Sequence, residues 1–468
     1  MASDSQPFQV IIVGAGLSGL RAAREVHNAG LSYIVLEAMD HVGGKTLSVK
    51  ASSNGKGVVD MGAAWLNDTS QSAIYGLATE FGFDLVEQRV GGVSLYQDHE
   101  GEVHAIPFGM LAKMEPDQLE QAEQLLATIG EYAEKCDLEN PSEGPDAKHL
   151  DSITVRDFAD QFNDAGASML INAITRSLIG VESHELSALF FLDILKRGTG
   201  LQNVLSDHKE GGQYLRNRQG NQAFCHRLVE GLNPGSVKVS AAVWSITQKD
   251  GGCVVETSDG TSYRAEKVIV SVPTPLYPLI RFDPDLPSSK KALSESTEGG
   301  YYSKTVLVFD EPWWHAPNLS GEYSSADGPI AFTRDTCSPA DGQYSITCFH
   351  AGDPGRKWSK LSADKRKQTV LRDFRAAFGK VVDNVPDPIS VIEKEWTKDE
   401  WARGAPGPVM RPGVLAGEAG KSMSEPFGNI HFVGTETSPI WRGYMDGAVR
   451  SGVRGGKEVI AALGKQAK

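Results

Sequence analysis

The sequence predicts an α/β fold, a doubly wound domain on a parallel sheet into which a second, α+β domain is inserted. Three observations predict it. Residues 9–13, 17–29 and 32–36 read in turn as an apolar strand, a helix with apolar positions three and four apart, and a second apolar strand, the βαβ unit of such a sheet. Residues 236–272 then switch to short strands separated by the turn sequences Asp250-Gly251-Gly252 and Asp259-Gly260. Finally, 468 residues exceed what one hydrophobic core holds, since cores stop growing at roughly 250–300 residues.

Between these landmarks the chain is read from its breaks, because no repeat of roughly 20–50 residues is visible. Residues 116–136 form a charged amphipathic helix, closed by the breaker-rich stretch Asn140-Pro141-Ser142-Glu143-Gly144-Pro145. Residues 154–196 read as helices, with a start near Ser183 and His184 and a strongly apolar run over 186–195. Strands follow at 237–239, 243–248, 254–257 and 268–272, a small antiparallel insert that returns the chain to the first domain. A mixed region over 285–405 precedes a last strand, 429–433, and a closing helix, 443–463. The doubly wound domain is thus expected from residues 1–90, 215–285 and 406–468, and the second domain from 91–214 and 286–405.

Composition narrows the function classes. Forty per cent hydrophobic and 23% charged residues is a globular balance, far from that of a disordered chain. A formal charge of −14 with no dominant Lys/Arg cluster argues against a nucleic-acid partner, whose phosphates need concentrated cations. The acidity suits a cationic small molecule, although solubility is the commoner reason for it. Five cysteines (Cys136, Cys225, Cys253, Cys337, Cys348) are odd in number and lack paired short spacings, so no metal site is read and a reduced intracellular setting is expected. No basic-then-apolar leader stands at residues 1–8 and no apolar run of about 18 residues occurs, which predicts a cytoplasmic protein without a membrane span.

The chemistry begins at Gly14-Ala15-Gly16-Leu17-Ser18-Gly19, directly after the first strand and opening the first helix. Gly14 permits the tight turn, Gly16 lets backbone approach a pyrophosphate, and Gly19 lets helix and strand pack closely, with the anion at the helix's positive end. Glu37 ends the second strand, where its carboxylate is placed to accept hydrogen bonds from a ribose. Strand, helix, second strand and terminal acid in register favour a dinucleotide over a mere glycine-rich turn. A second glycine pair follows in Ala38-Met39-Asp40-His41-Val42-Gly43-Gly44-Lys45-Thr46, with a cation that can lie against the same pyrophosphate.

This second run resembles a nucleotide-contacting segment of the flavin-containing amine oxidases, with Lys45 where an arginine commonly stands, so charge is kept and the planar fork lost. Asp60-Met61-Gly62-Ala63-Ala64-Trp65 is similar to the family's segment along the flavin ring, and Ile430-His431-Phe432-Val433-Gly434-Thr435-Glu436 to its third cofactor segment. Trp441-Arg442-Gly443-Tyr444-Met445-Asp446-Gly447-Ala448 is similar to the family's signature before the last helix, in which the tyrosine faces the flavin. The resemblance covers residues 10–454 and implies a Rossmann-like FAD-binding domain of flavin amine oxidase type with an inserted α+β substrate-binding domain. It implies FAD contacts from Gly14, Gly16, Leu17, Ser18, Gly19, Glu37, Ala38, Gly43, Gly44, Lys45, Gly62, Ala63 and Trp65. Later in the chain it implies Val243, Trp396, Gly434, Thr435, Glu436, Tyr444, Met445 and Ala448.

The same resemblance implies Lys304, Tyr444, Trp396 and Trp401 at the chemistry. Lys304, eight residues before Pro312, has a spacing similar to that of the family's lysine beside flavin N5, where a cation stabilises the superoxide formed as oxygen is reduced. A solvated lysine on an edge strand is the plainer alternative. Ala405 stands where animal monoamine oxidases carry the flavin-linking cysteine, so FAD is expected to be held without a covalent bond. Pro406 replaces a cage tyrosine, which leaves Tyr444 as one wall and Trp396 or Trp401 as candidates for the other. The implied partners are a primary, long-chain or hydrophobic amine and O2, with carbonyl product, ammonia and H2O2 formed. The departures resemble fungal-type monoamine oxidases, including the group that deaminates fumonisins, whose carboxylates Lys196, Arg197, Lys209, Arg216 and Arg218 are placed to meet; a solvated helix face and loop explain those cations equally. Arg442 keeps an L-amino acid oxidase open, and a flavin desaturase or a non-enzymatic flavoprotein of the same fold are further alternatives. Nothing in the sequence fixes an interface, so a homodimer is left open.

Overall fold

The computed structural model describes residues 7–52, 55–110, 116–162, 165–249 and 251–465. Most of the amino-terminal stretch 1–8, Asp250 of the first turn and residues 466–468 of the tail lie outside the described residues.

The strand Phe8–Val13 lies in the middle of the first sheet, hydrogen-bonded in parallel to Tyr33–Leu36 on one side and to Ser262–Val270 on the other. Covered on both faces, it carries an unbroken apolar run instead of alternation, and Val10, Ile11 and Ile12 are fully buried. Val237–Lys238 extends the parallel set beyond Tyr33–Leu36, and Ile430–Phe432 pairs in parallel with Ser262–Val270. Val243–Lys249 and Gly252–Thr257 form a hairpin that joins Ser262–Val270 antiparallel; with Arg281–Asp283 this makes an eight-stranded sheet among the described residues. The strands over 237–272 are therefore no separate insert, contrary to the expectation from sequence. The reason lies in Ser262–Val270, which starts at 262 and not at 268. Its first part mixes exposed and buried residues and pairs with the hairpin, while its last residues are all buried and pair with Phe8–Val13.

The first helix, Leu17–Asn28, packs against the last, Met445–Ala462. A Cβ on Gly452 would stand 2.4 Å from Ser18 O, so the two helices approach to a distance only glycine allows. This approach sets both helix N-termini beside the carboxyl ends of the parallel strands, where open α/β sheets bind their ligands.

A second sheet, of seven strands among the described residues, runs in the order Ser390–Glu395, Tyr302–Phe309, Tyr344–Ala351, Phe332–Asp335, Leu319–Ser325, Val93–Gln97, Val103–Pro107. Tyr302–Phe309 is paired antiparallel on both sides and buried almost throughout, so it is an interior strand. The helices Pro116–Lys135, Ala165–Ile179 and Ala188–Arg197 share a core through Leu125, Ile129, Ile171 and Phe190. The helix expected to start near Ser183 and His184 starts instead at Ala188. Ser183 N–H is taken by Asn172 Oδ1 at 2.8 Å, and Ser187 supplies the cap, its Oγ accepting from Phe190 N–H at 3.2 Å. No helix of the described residues is long and apolar enough to cross a membrane.

Candidate active site

One cavity gathers nearly every residue singled out in the sequence, and the end formed by the glycine turns is made of backbone. Gly14, at φ +102°, turns the chain out of the first strand, and a Cβ there would sit 3.1 Å from Ser271 O. Gly16 precedes the first helix without any side-chain cap, so the first amides of that helix are left for a ligand. Gly14, Gly16, Leu17 and Ser18 line the cavity; Gly19 lies behind the turn, where a Cβ would stand 2.1 Å from Gly14 O. Glu37 is buried, and its oxygens accept from Ala15 N–H at 2.6 Å and Met39 N–H at 2.9 Å, while burial raises its pKa. Each oxygen keeps a lone pair, so a ribose hydroxyl can still bond there. Ala38, Gly43, Gly44 and Val243 line the same end, and Gly43 N–H donates to Ala15 O at 3.0 Å. Lys45 adds a cation whose pKa burial lowers and the charge of Glu436 raises in part.

The last two motifs are knitted together by Thr435. Its Oγ–H donates to Tyr444 O at 2.8 Å and its oxygen accepts from Gly443 N–H at 2.9 Å, while Gly434 N–H donates to Ser451 Oγ at 3.1 Å. Glu436 accepts from Thr274 N–H and Oγ–H, both at 3.1 Å. Tyr444 begins the last helix and gives it no side-chain cap, so a second helix N-terminus, with Met445 and Ala448, opens on the cavity.

Lys304 lines the same cavity. Its Nζ donates to Asp60 O at 3.0 Å and to Gly62 O at 2.5 Å, and lies 5.1 Å from the Phe349 ring centre and 5.6 Å from that of Trp65. The side chain is 4% exposed on an interior strand, which rules out the solvated edge lysine. Burial lowers its ammonium to about 8, against the opposing charge of Asp60. Asp60 accepts from Ser48 Oγ–H at 2.5 Å and Asn221 N–H at 2.9 Å, and burial raises its carboxyl to about 6. Gly62, Ala63 and Trp65 line the cavity, and Trp396 Nε1–H donates to Met61 O at 2.9 Å from a buried position beneath that segment. Trp401, Ala405 and Pro406 also line it.

The rest of the lining is largely apolar and includes residues the sequence reading did not name: Leu178 and Ile179, Phe190, Val204 and Leu205, with Tyr302, Phe332 and Phe349 from the second sheet, beside the polar Ser177, Gln213 and Arg334. The signal that pointed to Tyr302 and Phe349 was available only in part, since Tyr302 shares a strand face with Lys304 whereas Phe349 needs the strand pairing. The basic residues expected to meet anions are placed elsewhere. Lys196 bonds Glu134, Arg197 bonds Asp193, Arg216 donates to Cys337 O, Arg218 bonds Asp341, Lys209 is exposed, and none lines the cavity. Arg442 does line it, but its guanidinium is paired with Asp193 at 2.6 Å, and burial lowers its pKa to about 10. Arg334 is likewise held by Asp207 at 3.1 Å and Glu322 at 2.8 Å.

The whole arrangement matches a flavin containing amine oxidoreductase model over residues 17–460. The chain belongs to the flavin-containing amine oxidase family. It is 30% identical over 456 residues to the "Probable flavin-containing monoamine oxidase A" of Dictyostelium discoideum, covering 97% of each chain. To amine oxidase B of Mus musculus it is 30% identical over 468 residues, covering 98% of this chain and 88% of that one. Its structure is similar to that of a putrescine oxidase bound to putrescine, at TM-score 0.89 and 26% identity over 97% of this chain and 99% of that one. It is also similar to cyclohexylamine oxidase from Brevibacterium oxydans, at TM-score 0.89 and 28% identity over 98% and 100% of the two chains. This amine oxidase therefore has the α/β architecture of those enzymes and acts on CH–NH2 groups with oxygen as acceptor. FAD is the cofactor expected of the family, and the cradle fits it: two uncapped helix N-termini suit a pyrophosphate, and the glycine turn admits backbone where a side chain would collide.

Proposed function

We propose that this oxidase deaminates a primary amine with a long or otherwise hydrophobic carbon body, using FAD held without a covalent link. The observation that carries the substrate class is the largely apolar and aromatic lining around Leu178, Ile179, Phe190, Phe332 and Phe349, in which the guanidinium groups of Arg442 and Arg334 are each already paired with carboxylates. FAD, when bound, accepts the hydride from the amine's α-carbon and passes the electrons to oxygen. The chain's own residues prepare that exchange. The glycine turns and helix termini fix the cofactor by its phosphates, Tyr444 offers a flat wall, and the apolar surroundings favour the neutral amine over the ammonium, which cannot release hydride. No side-chain base is then required. Lys304, a buried cation, stabilises negative charge developing on oxygen. Ala405 lines the cavity and offers no nucleophile, which supports a non-covalent flavin.

The domain partition is part of the same proposal: 1–90, 215–285 and 406–468 hold the cofactor, and 91–214 and 286–405 the amine. Its support is that the strands of the first large sheet fall in the former segments and those of the second in the latter. A cytoplasmic setting is supported by five cysteines that are all unpaired. The fungal-type, fumonisin-directed reading rests on resemblance alone, because the cations put forward for it lie away from the cavity. An L-amino acid oxidase is disfavoured because the Arg442 guanidinium is already engaged by Asp193, a carboxylate it shares with Arg197. The test is a peroxide-coupled screen of purified yellow protein over an amine panel. Hexylamine should be oxidised and leucine left untouched; leucine turnover at a rate comparable with hexylamine, or no peroxide with any amine, refutes the reading.

A further inference from the structure

Tyr302 stands two residues before Lys304 on an interior strand, so both side chains leave the sheet on one face, and both line the cavity. Its ring is held from several directions. Phe349, the register partner of Lys304 on the neighbouring strand, lies 5.4 Å away between ring centres, and Phe332, stacked on Phe349 at 4.4 Å, lies 6.1 Å away. Tyr302 Oη–H donates to Ser177 O at 3.0 Å, in the last turn of the helix Ala165–Ile179.

The segment carrying Ala405 and Pro406 is bound to the residues just before this strand. Ala405 N–H donates to Gly300 O at 2.9 Å and Gly300 N–H donates to Gly407 O at 3.2 Å, while Tyr302 packs on the cluster of Trp396, Ala402 and Ala405. Pro406 offers no flat aromatic surface, and the tyrosine that lines the cavity beside it is Tyr302. Tyr444, the other tyrosine of the lining, is braced edge-on against Trp441 at 4.7 Å. Burial pushes both phenols up, since both side chains sit out of solvent in the lining of the one cavity.

We propose that Tyr302 is a specificity-determining residue of this oxidase: its ring is the second wall of the amine passage, paired with Tyr444, and its bond to Ser177 O fixes the width between them. The inference rests on the amine oxidase reading and names the wall that the 396–406 segment does not supply. A ring locked by Phe349, Phe332 and Ser177 cannot swing aside, so a straight chain passes while a substituent on the carbon next to nitrogen collides.

The experiment compares hexylamine with α-methylbenzylamine in wild type, Tyr302→Phe, Tyr302→Leu and Tyr302→Ala, with flavin content and melting temperature as folding controls. Tyr302→Ala should raise KM for hexylamine about tenfold with kcat within about threefold, and should shift the kcat/KM ratio toward α-methylbenzylamine at least about tenfold. Tyr302→Phe, which keeps the ring and loses the Ser177 bond, should show a shift of about threefold. A selectivity ratio within about twofold of wild type in a flavin-loaded Tyr302→Ala overturns the inference, and Tyr302→Leu decides in the same way where the alanine variant yields no holoprotein. Failure of the functional reading is separable, because it shows as absence of turnover in wild type. In that case benzylamine is titrated anaerobically against the bound flavin's visible spectrum: weakening of about tenfold in Tyr302→Ala supports the wall, and equal binding, or none even to wild type, overturns it.

Discussion

The proposed nucleotide end and the proposed amine end of one cavity are built by opposite means. The nucleotide end is backbone: Gly14 and Gly16 with the uncapped first helix, then Gly434 with the uncapped last one. Side chains are disfavoured at Gly14, where φ is +102° and a Cβ would stand 3.1 Å from Ser271 O, and behind the turn at Gly19, where a Cβ would stand 2.1 Å from Gly14 O. The amine end is side chain: Tyr302, Phe332 and Phe349 from three strands, faced by Leu178, Ile179 and Phe190 from two helices. Backbone sites demand particular residues at particular spacings, whereas a wall accepts any apolar residue of suitable shape. The same cofactor chemistry can thus be kept while the amine changes.

The sharpest break of that comparison is Gly19→Val. The added side chain collides with the Gly14 carbonyl, so the turn must move, and bound flavin per chain should fall at least about tenfold, read from the visible to ultraviolet absorbance ratio. Leu205→Ala, on the amine side, should keep its flavin. Equal flavin loss in both variants would mean that the two ends are not separable.

Next in size is the Asp193 pair. Asp193 takes Arg197 Nε–H at 2.7 Å and Arg442 at 2.6 Å, both buried, so Asp193→Ala strands two cations and should lower unfolding free energy by about 3–5 kcal/mol in denaturant titration. The variant also sharpens the substrate question, because freeing Arg442 should let leucine bind where wild type rejects it. A stable Asp193→Ala protein that remains indifferent to leucine would show that Arg442 does not reach the amine site.

Lys304→Met removes the buried cation that bonds the Asp60 and Gly62 carbonyls, and flavin reoxidation by oxygen should slow about 10²-fold while anaerobic reduction by hexylamine stays within about threefold. The pH dependence gives a second reading. The folded pKa is lowered to about 8, so the ammonium persists below that value and is lost above it. Reoxidation should be flat up to pH 8 and fall about tenfold per pH unit beyond it, and the Lys304→Met protein should lack that limb. Stopped-flow traces in which both half-reactions slow equally would remove Lys304 from oxygen chemistry.

This division also accounts for what could be read in advance. The glycine turn, Glu37, the second glycine pair and the Trp441 to Ala448 signature were legible because each imposes its own local pattern. The hairpin strands were legible as strands but not as members of the first sheet, since that membership depends on the long strand Ser262–Val270 changing partners along its length. Phe332 and Phe349 could not be read at all. Their importance comes from the register that sets Phe332 opposite Phe349 and Phe349 opposite Lys304, a fact of strand pairing with no trace in spacing. Arg442 was legible as a charge near the site, yet the carboxylate that holds it comes from 249 residues away in sequence.

The smallest expected effect tests the same boundary from outside. Lys196, Lys209 and Arg218 attract attention in the sequence as receptors for an anionic substrate, but Lys196 bonds Glu134, Arg218 bonds Asp341 and Asp84, and none reaches the cavity. Exposed ion pairs of this kind contribute about 0–1 kcal/mol and act on a distant substrate only through a field that salt screens within about 8–10 Å. A triple Lys196→Ala, Lys209→Ala, Arg218→Ala variant should therefore oxidise hexylamine with kcat and KM within about twofold of wild type, at low and at physiological salt alike. It should also be equally indifferent to a long-chain amine bearing carboxylates. A carboxylated amine whose KM rises about tenfold in the triple variant while that of hexylamine stays fixed would place an anion site outside the cavity and extend the amine end beyond its apolar lining.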